Sequence, residues 1–175
     1  MTAIRPMVVM GVSGSGKSVL GSALGQSLGL PFIDADDLHP ASNKALMAAG
    51  TPLTDEDRIP WLNVVAATIA DGVSKGQPSV VACSALKRSY RDLLRTQVPD
   101  LLLIYIDGAA ELIASRLEAR EHEFMPATLL ASQLATLEPP QADEAHLRVP
   151  AELTVEEAVE LIRNTLGLSA ATPPR

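Results

Sequence analysis

The chain has a single cysteine, Cys83, which excludes an intramolecular disulfide and suits a reducing cytosol. Positive charge is scarce: 14 Lys and Arg stand against 21 Asp and Glu, for a formal net charge of −7. That balance argues against a general nucleic-acid binder and leaves room only for a local basic patch. No apolar run approaches the roughly 18 residues of a membrane span, and Met1 to Pro6 is too short before the first apolar run to be a signal peptide. Internal repeats and linkers are also missing, and only residues 169–175 read as a flexible tail. The expectation is a soluble cytoplasmic protein with one domain over residues 1–168, free of membrane and nucleic acid. Its 175 residues can bury a substantial core without disulfides or a structural metal.

What the chain does have is Gly11-Val-Ser-Gly-Ser-Gly-Lys-Ser18, set between the apolar run Met7 to Met10 and a helical pattern. This reads as a P-loop. Glycines at 11, 14 and 16 free the backbone to turn its N–H groups onto phosphate oxygens, and the following helix adds its positive N-terminal end. Gly11, Val12, Ser13, Gly14, Ser15, Gly16, Lys17 and Ser18 are therefore the candidate nucleotide residues. Lys17 would reach the β- and γ-phosphates of ATP, and the Ser18 hydroxyl would ligate Mg²⁺.

Short apolar strands alternate with helices along the rest of the chain. Strands are expected at 7–10, 31–33, 79–82, 101–106 and, weakly, 146–149. Helices are expected at 17–28, 40–49, 61–73, 87–96, 109–120 and 126–137, and in a last segment opened by a Thr154–Glu157 capping box and stopped by Gly167. Residues 51–58 read as a polar loop. The pattern predicts an α/β fold with a five-stranded parallel sheet covered on both faces, whose ligands bind beyond the carboxyl ends of the strands.

That rule singles out the residues after each strand. Asp34-Ala-Asp36-Asp37-Leu-His39 follows the second strand, and in an extended stretch Asp34 and Asp36 would point the same way. One carboxylate would order water around Mg²⁺ while the other takes a substrate hydroxyl proton. Asp36 or Asp37 could instead cap the next helix, and His39 could be a surface residue. Asp107 ends another apolar strand; local pattern does not choose between it and Asp34 as the magnesium-associated acid, although Asp107 reads first as a helix cap. Arg58, Lys87 and Arg91 collect at the same edge, with Lys87 and Arg91 spaced to bracket one anion or simply to form a solvated helix face. Arg116 and Arg120 precede Glu121 to Pro126, which suits a lid over residues 118–127 that delivers guanidinium groups to the transferring phosphate.

Taken together, these stretches resemble the gluconokinases, small P-loop kinases of D-gluconate. The likeness runs through Gly11 to Ser18, Asp34-Ala-Asp36 with Leu38-His-Pro40, Gly50-Thr-Pro-Leu53 with Asp57-Arg58 and Pro60-Trp-Leu62, Cys83-Ser-Ala-Leu-Lys87 with Tyr90-Arg-Asp-Leu-Leu94, and Ser132-Gln133 with Thr136-Leu-Glu138. The resemblance implies a fold similar to shikimate and adenylate kinases, ATP with Mg²⁺ as donor, and often a homodimer. It implies Asp34 near Mg²⁺, Asp36 at the acceptor hydroxyl, and a lid arginine at Arg120. It also implies a substrate-binding segment at 40–60, with Asp36, His39, Arg58, Ser84, Lys87 and Arg91 around the sugar acid. The chain departs from the family at His122-Glu123-Phe124, leaving the lid role open between His122 and Glu123, and at Pro150, where many members have an acid. Two other readings stay open: a kinase of another small hydroxy acid such as shikimate, and a non-catalytic nucleotide-binding regulatory module.

Overall fold

Met7, Val8, Val9 and Met10 are all buried, which places the first strand inside a sheet with cover on both faces. The computed structural model describes residues 3–119, 127–169 and 171. Over these residues the order is β1 (Met7–Met10), α1 (Lys17–Leu28), β2 (Phe32–Asp34), a 3-10 turn (Ala35–Leu38), α2 (Ala41–Ala48), α3 (Asp55–Ser74) and β3 (Val80–Ala82). It continues with α4 (Arg88–Gln97), β4 (Leu102–Asp107), α5 (Ala110–Glu118), α6 (Ala127–Thr136), β5 (His146–Pro150) and α7 (Val155–Leu166). The sheet order is β2-β3-β1-β4-β5 and every pairing is parallel, as the strand–helix alternation predicts.

Period two along the strands divides the core. Val8 and Met10 join Val81, Cys83, Leu103 and Tyr105 against α3 and α4, while Met7 and Val9 join Val80, Leu102, Ile104 and Ile106 against α1 and α7. A third cluster lies over the strand ends, where Val12 and Leu86 meet Ile113, Leu117 and Leu130. It joins the loops after β1 and β3 to α5 and α6.

Local signals account for several helix ends. Gly29 closes α1 in the left-handed region, and the Thr154–Glu157 capping box opens α7 as its sequence indicates. Two expectations need correction. Residues 55–58 are not a loop: α3 begins at Asp55 rather than Trp61, because Thr54 and Asp57 form a capping box with both reciprocal hydrogen bonds, at 3.1 and 2.9 Å. Pro60 sits within the helix, where packing of Trp61, Leu62 and Val65 into the core outweighs the backbone bond it forfeits. The stretch after Asp34 is not extended either, since Asp34 Oδ1 accepts the Asp36 N–H at 3.0 Å and curls residues 35–38 into the 3-10 turn.

Candidate active site

The strand ends of β1, β2 and β3 face the same side, and their loops form one cleft. On the donor side, Gly14 (φ 82°) and Gly16 (φ 96°) hold left-handed conformations. A Cβ added at Gly14 would lie 2.6 Å from Leu117 Cγ, so space as well as backbone requires glycine there. Gly16 then caps α1 without a side chain, leaving the first-turn N–H groups directed at the loop. Gly11 N–H donates to Ser84 O at 3.3 Å, which ties the P-loop to the loop after β3. Lys17 Nζ donates to Val12 O at 3.1 Å, across the mouth of the loop.

Beside this loop, a cleft of about 280 Å³ is lined by Gly14, Gly16, Val19, Arg116, Pro150 and Val155. Arg116 is fixed there by a hydrogen bond to Ala151 O, beyond the end of β5. Pro150 ends β5 on the same wall and can offer a base only its ring and its carbonyl.

Ser18 Oγ donates to Asp34 Oδ2 at 3.0 Å. Two hard oxygen donors thus converge at the P-loop end of α1, a donor set that fits Mg²⁺ beside a phosphate chain. Asp107 is not part of it, and it does not cap α5 either, whose N-cap is Ala109. Its carboxylate pairs with Arg148 at 2.6 Å.

Asp36 lies in the 3-10 turn, within electrostatic reach of Asp34 and Lys17. Loss of hydration first, and then the Asp34 charge, raise its pKa above the ordinary carboxylate value, while Lys17 partly offsets them. Neither Asp36 nor Asp37 caps α2, whose N-cap is Pro40. The turn is anchored from below by Trp61, whose Nε1 donates to Ala35 O at 2.7 Å.

His39 is a correction. It is only 7% exposed and stacks on Trp61 with ring centroids 4.1 Å apart, and its Nδ1 lies 3.2 Å from Asn43 Nδ2. Burial, followed by the Arg58 and Lys44 charges, lowers its pKa and favours the neutral ring. The ring is therefore not a surface residue but part of the packed wall, against Trp61 and Asn43.

Arg91 is the second correction. It is fully buried, with its Nε and Nη2 on the two oxygens of Glu144 at 2.7 and 3.0 Å, and its Nη1 donates to Ala85 O (2.9 Å) and Leu86 O (3.3 Å). A guanidinium so enclosed cannot take an acceptor carboxylate. It instead holds the loop after β3, in which Ala85 adopts the left-handed region at φ 45° without being glycine. Lys87 and Arg91 therefore do not share a function, because Lys87 is the N-cap of α4 and Arg91 lies inside the helix.

Lys87 faces the open cleft with Arg58 and with Tyr90, whose potential as a site residue sequence reasoning missed. Lys87 Nζ lies 3.0 and 3.1 Å from the two oxygens of Asp55, the Tyr90 hydroxyl donates to Asp55 Oδ1, and Arg58 Nη1 donates to Tyr90 Oη at 3.1 Å. Both cations lie near the Tyr90 ring, with Arg58 Cζ at 5.7 Å and Lys87 Nζ at 5.6 Å from its centroid. The Tyr90 hydrogen bond first, and then Lys87, hold the Asp55 carboxyl below its usual range. The arrangement gathers two cations and a hydroxyl around one carboxylate, that of Asp55. Ser84 is half-buried beside it, with its carbonyl engaged by Gly11. Cys83 is buried, its thiol pushed up to about 12 chiefly by that burial, and serves as packing. The expected lid arginine Arg120, with His122 and Glu123, lies outside the described residues.

A parallel sheet with a P-loop after its central strand β1, and an acidic turn after the edge strand β2, defines a P-loop phosphotransferase. The family model described as "AAA domain" matches residues 7–140. A gluconokinase of Gluconobacter oxydans (strain 621H) is 46% identical over 91% of this chain and 90% of its own length. A probable gluconokinase of Mus musculus is 41% identical over 95% and 100%. The crystal structure of a gluconokinase from Sinorhizobium meliloti 1021 superposes with a TM-score of 0.86 at 42% identity, covering 95% of this chain and 94% of that one. The chain belongs to the gluconokinase family, and it is a kinase. Among the described residues, no helix is long and apolar enough to cross a membrane.

Proposed function

We propose that this protein transfers the γ-phosphoryl group of ATP to the 6-hydroxyl of D-gluconate by direct in-line displacement. The observation that supports it best is the gathering of Arg58, Lys87 and Tyr90 around one carboxylate, in a chain whose P-loop Lys17 and strand-end Asp34 act electrostatically on Asp36. The family membership and the named relatives favour the same acceptor.

In this reading the N–H groups of Gly14 and of Gly16 to Ser18, with the Lys17 ammonium, seat the phosphates, and Arg116 borders the base. Ser18 and Asp34 are the residues that would hold Mg²⁺, which when bound offsets the charge of the phosphate oxygens. The substrate carboxylate takes over the donors that Asp55 now occupies, and this fixes the polyol chain in one direction. Asp36 orients the attacking hydroxyl and accepts its proton; its raised pKa brings it nearer to that task than an ordinary aspartate. Arg120 supplies lid charge to the transferring group, and closure of the 40–60 and 118–127 segments excludes water. The same reading takes the protein to be a cytoplasmic homodimer.

The test is ADP release from Mg-ATP, with the protein alone and with gluconate, related aldonates and shikimate in turn. Release should require gluconate and fall about 100-fold or more in Asp36→Asn with the fold intact. Nucleotide binding without stimulation by any acceptor would defeat the assignment.

A further inference from the structure

α6 runs from Ala127 to Thr136 and carries the chain back over both loops of the site. Gln133 lies against the P-loop: the Ser13 N–H donates to Gln133 Oε1 at 2.7 Å, and Gln133 Nε2 donates to Ser13 Oγ at 3.0 Å. These partners are 120 positions apart in the chain. Just beyond the helix, the Glu138 N–H donates to Leu86 O at 2.8 Å, and Glu138 Oε1 accepts the Arg88 N–H at 2.8 Å. Lys87, the N-cap of α4, provides no side-chain cap, so Glu138 satisfies a first-turn N–H that the local sequence leaves unmet. Leu130, Leu134 and Leu137 press the same segment onto Val12 and Leu86.

The chemistry of the first contact exceeds what packing requires. A leucine would satisfy the apolar neighbours, whereas an amide presents acceptor and donor in one plane and so fixes both the Ser13 peptide and its hydroxyl rotamer. Ser13 immediately precedes Gly14, where the backbone passes into the left-handed region and the phosphate-facing N–H groups begin. A glycine-rich loop has many alternatives to that conformation, and anchoring its first peptide removes them before nucleotide arrives.

We propose that Gln133 is a positioning residue for the nucleotide, setting the P-loop in its phosphate-binding conformation, while Glu138 does the same for the acceptor loop at 83–88. One short segment thereby holds the donor and acceptor loops in register. The proposal rests on residues 11–18 being the nucleotide loop, and its first half is independent of which acceptor is used.

The experiment compares Gln133→Leu, Ser13→Ala, their double variant and Glu138→Ala with the unaltered protein. It measures equilibrium binding of Mg-ATP without acceptor, separate KM values for ATP and gluconate, and thermal melting. Gln133→Leu should weaken ATP binding about tenfold, as expected for an N–H that loses its partner, with gluconate KM within about twofold and Tm within a few degrees. Ser13→Ala removes one of the two bonds and should weaken ATP binding about threefold, with less effect when Gln133 is already leucine. Glu138→Ala should raise gluconate KM and spare ATP binding. Unchanged ATP binding in Gln133→Leu, additive effects in the double variant, or equal rises in both KM values for Gln133→Leu would overturn the proposal. Should Gln133→Leu fail to fold, the Ser13→Ala binding measurement decides alone: unaltered affinity would overturn it. Failure of gluconate to act as acceptor leaves the ATP-binding arms readable, so it is distinguishable from failure of this proposal.

Discussion

Two clusters of opposite charge flank the start of α4, and they are built for different ends. In one, Arg91 and Glu144 are both sealed from solvent, and Arg95 and the Gln141 N–H complete the pairing of the carboxylate. Burial alone would raise the Glu144 pKa, but the Arg91 hydrogen bonds, the Gln141 N–H and Arg95 outweigh it and hold it at about 2. In the other, Lys87 and Arg58 keep about a third of their side-chain surface in water and Asp55 more than half. The sealed pair cannot exchange partners and holds the loop at Ala85; the open cluster stays accessible to water, and in the proposed reading it exchanges Asp55 for a ligand. Similar residues on adjacent turns thus separate by burial into a sealed scaffold and an accessible cluster.

The largest effect that would break this contrast lies in the sealed pair. Arg91→Met leaves a buried carboxylate without its partner and should cost about 3–5 kcal/mol, lowering Tm by roughly 10 °C. Adding Glu144→Leu should recover much of that loss, and a double variant no more stable than the single one would show that the loop contacts of Arg91, not the charge pair, dominate. In the open cluster, Lys87→Met should raise gluconate KM by about 10- to 100-fold, as for loss of a charged hydrogen bond, with Tm within about 2 °C. A Tm loss comparable to that of Arg91→Met would erase the distinction.

pH sharpens the same comparison. The folded-state pKa of Glu144 is depressed below its ordinary 4.5, so its stabilisation is complete above about 4.5 and is lost as pH falls toward 2. The urea midpoint of the unaltered protein should therefore drop more steeply between pH 5 and pH 3 than that of Arg91→Met/Glu144→Leu. Parallel curves would assign acid sensitivity elsewhere. The smallest effect is expected from Asp55→Asn, which frees Lys87 and Tyr90 from an internal competitor. Gluconate KM should fall about two- to threefold with little change in Tm, as is usual for exposed pairs. A rise in KM would mean that Asp55 arrays the cations for substrate instead of competing with it.

Much of this site is legible before folding. The P-loop, the α1 boundaries and the capping box of α7 are local features, encoded within a few residues, and all three lie where pattern reading puts them. The start of α3 was also encoded locally, in Thr54 and Asp57, but Pro60 and the polar composition hide it. Tyr90, Gln133 and Glu144 carry no such signal. Tyr90 meets Asp55 35 positions away, Glu144 meets Arg91 53 away, and Gln133 meets Ser13 across 120, so no spacing rule can pair them.

The chain's order of residues thus determines a phosphate-binding loop and an alternating α/β architecture, because glycine freedom, apolar periodicity and capping act over a turn or two of backbone. Tertiary structure alone decides which of its charges work on a ligand. Lys87 and Arg91 read alike in sequence, and their difference arises when the segment before β5 brings Glu144 onto one of them and leaves the other in water. Desolvation is set by everything that packs around a group, and those neighbours come from distant parts of the chain.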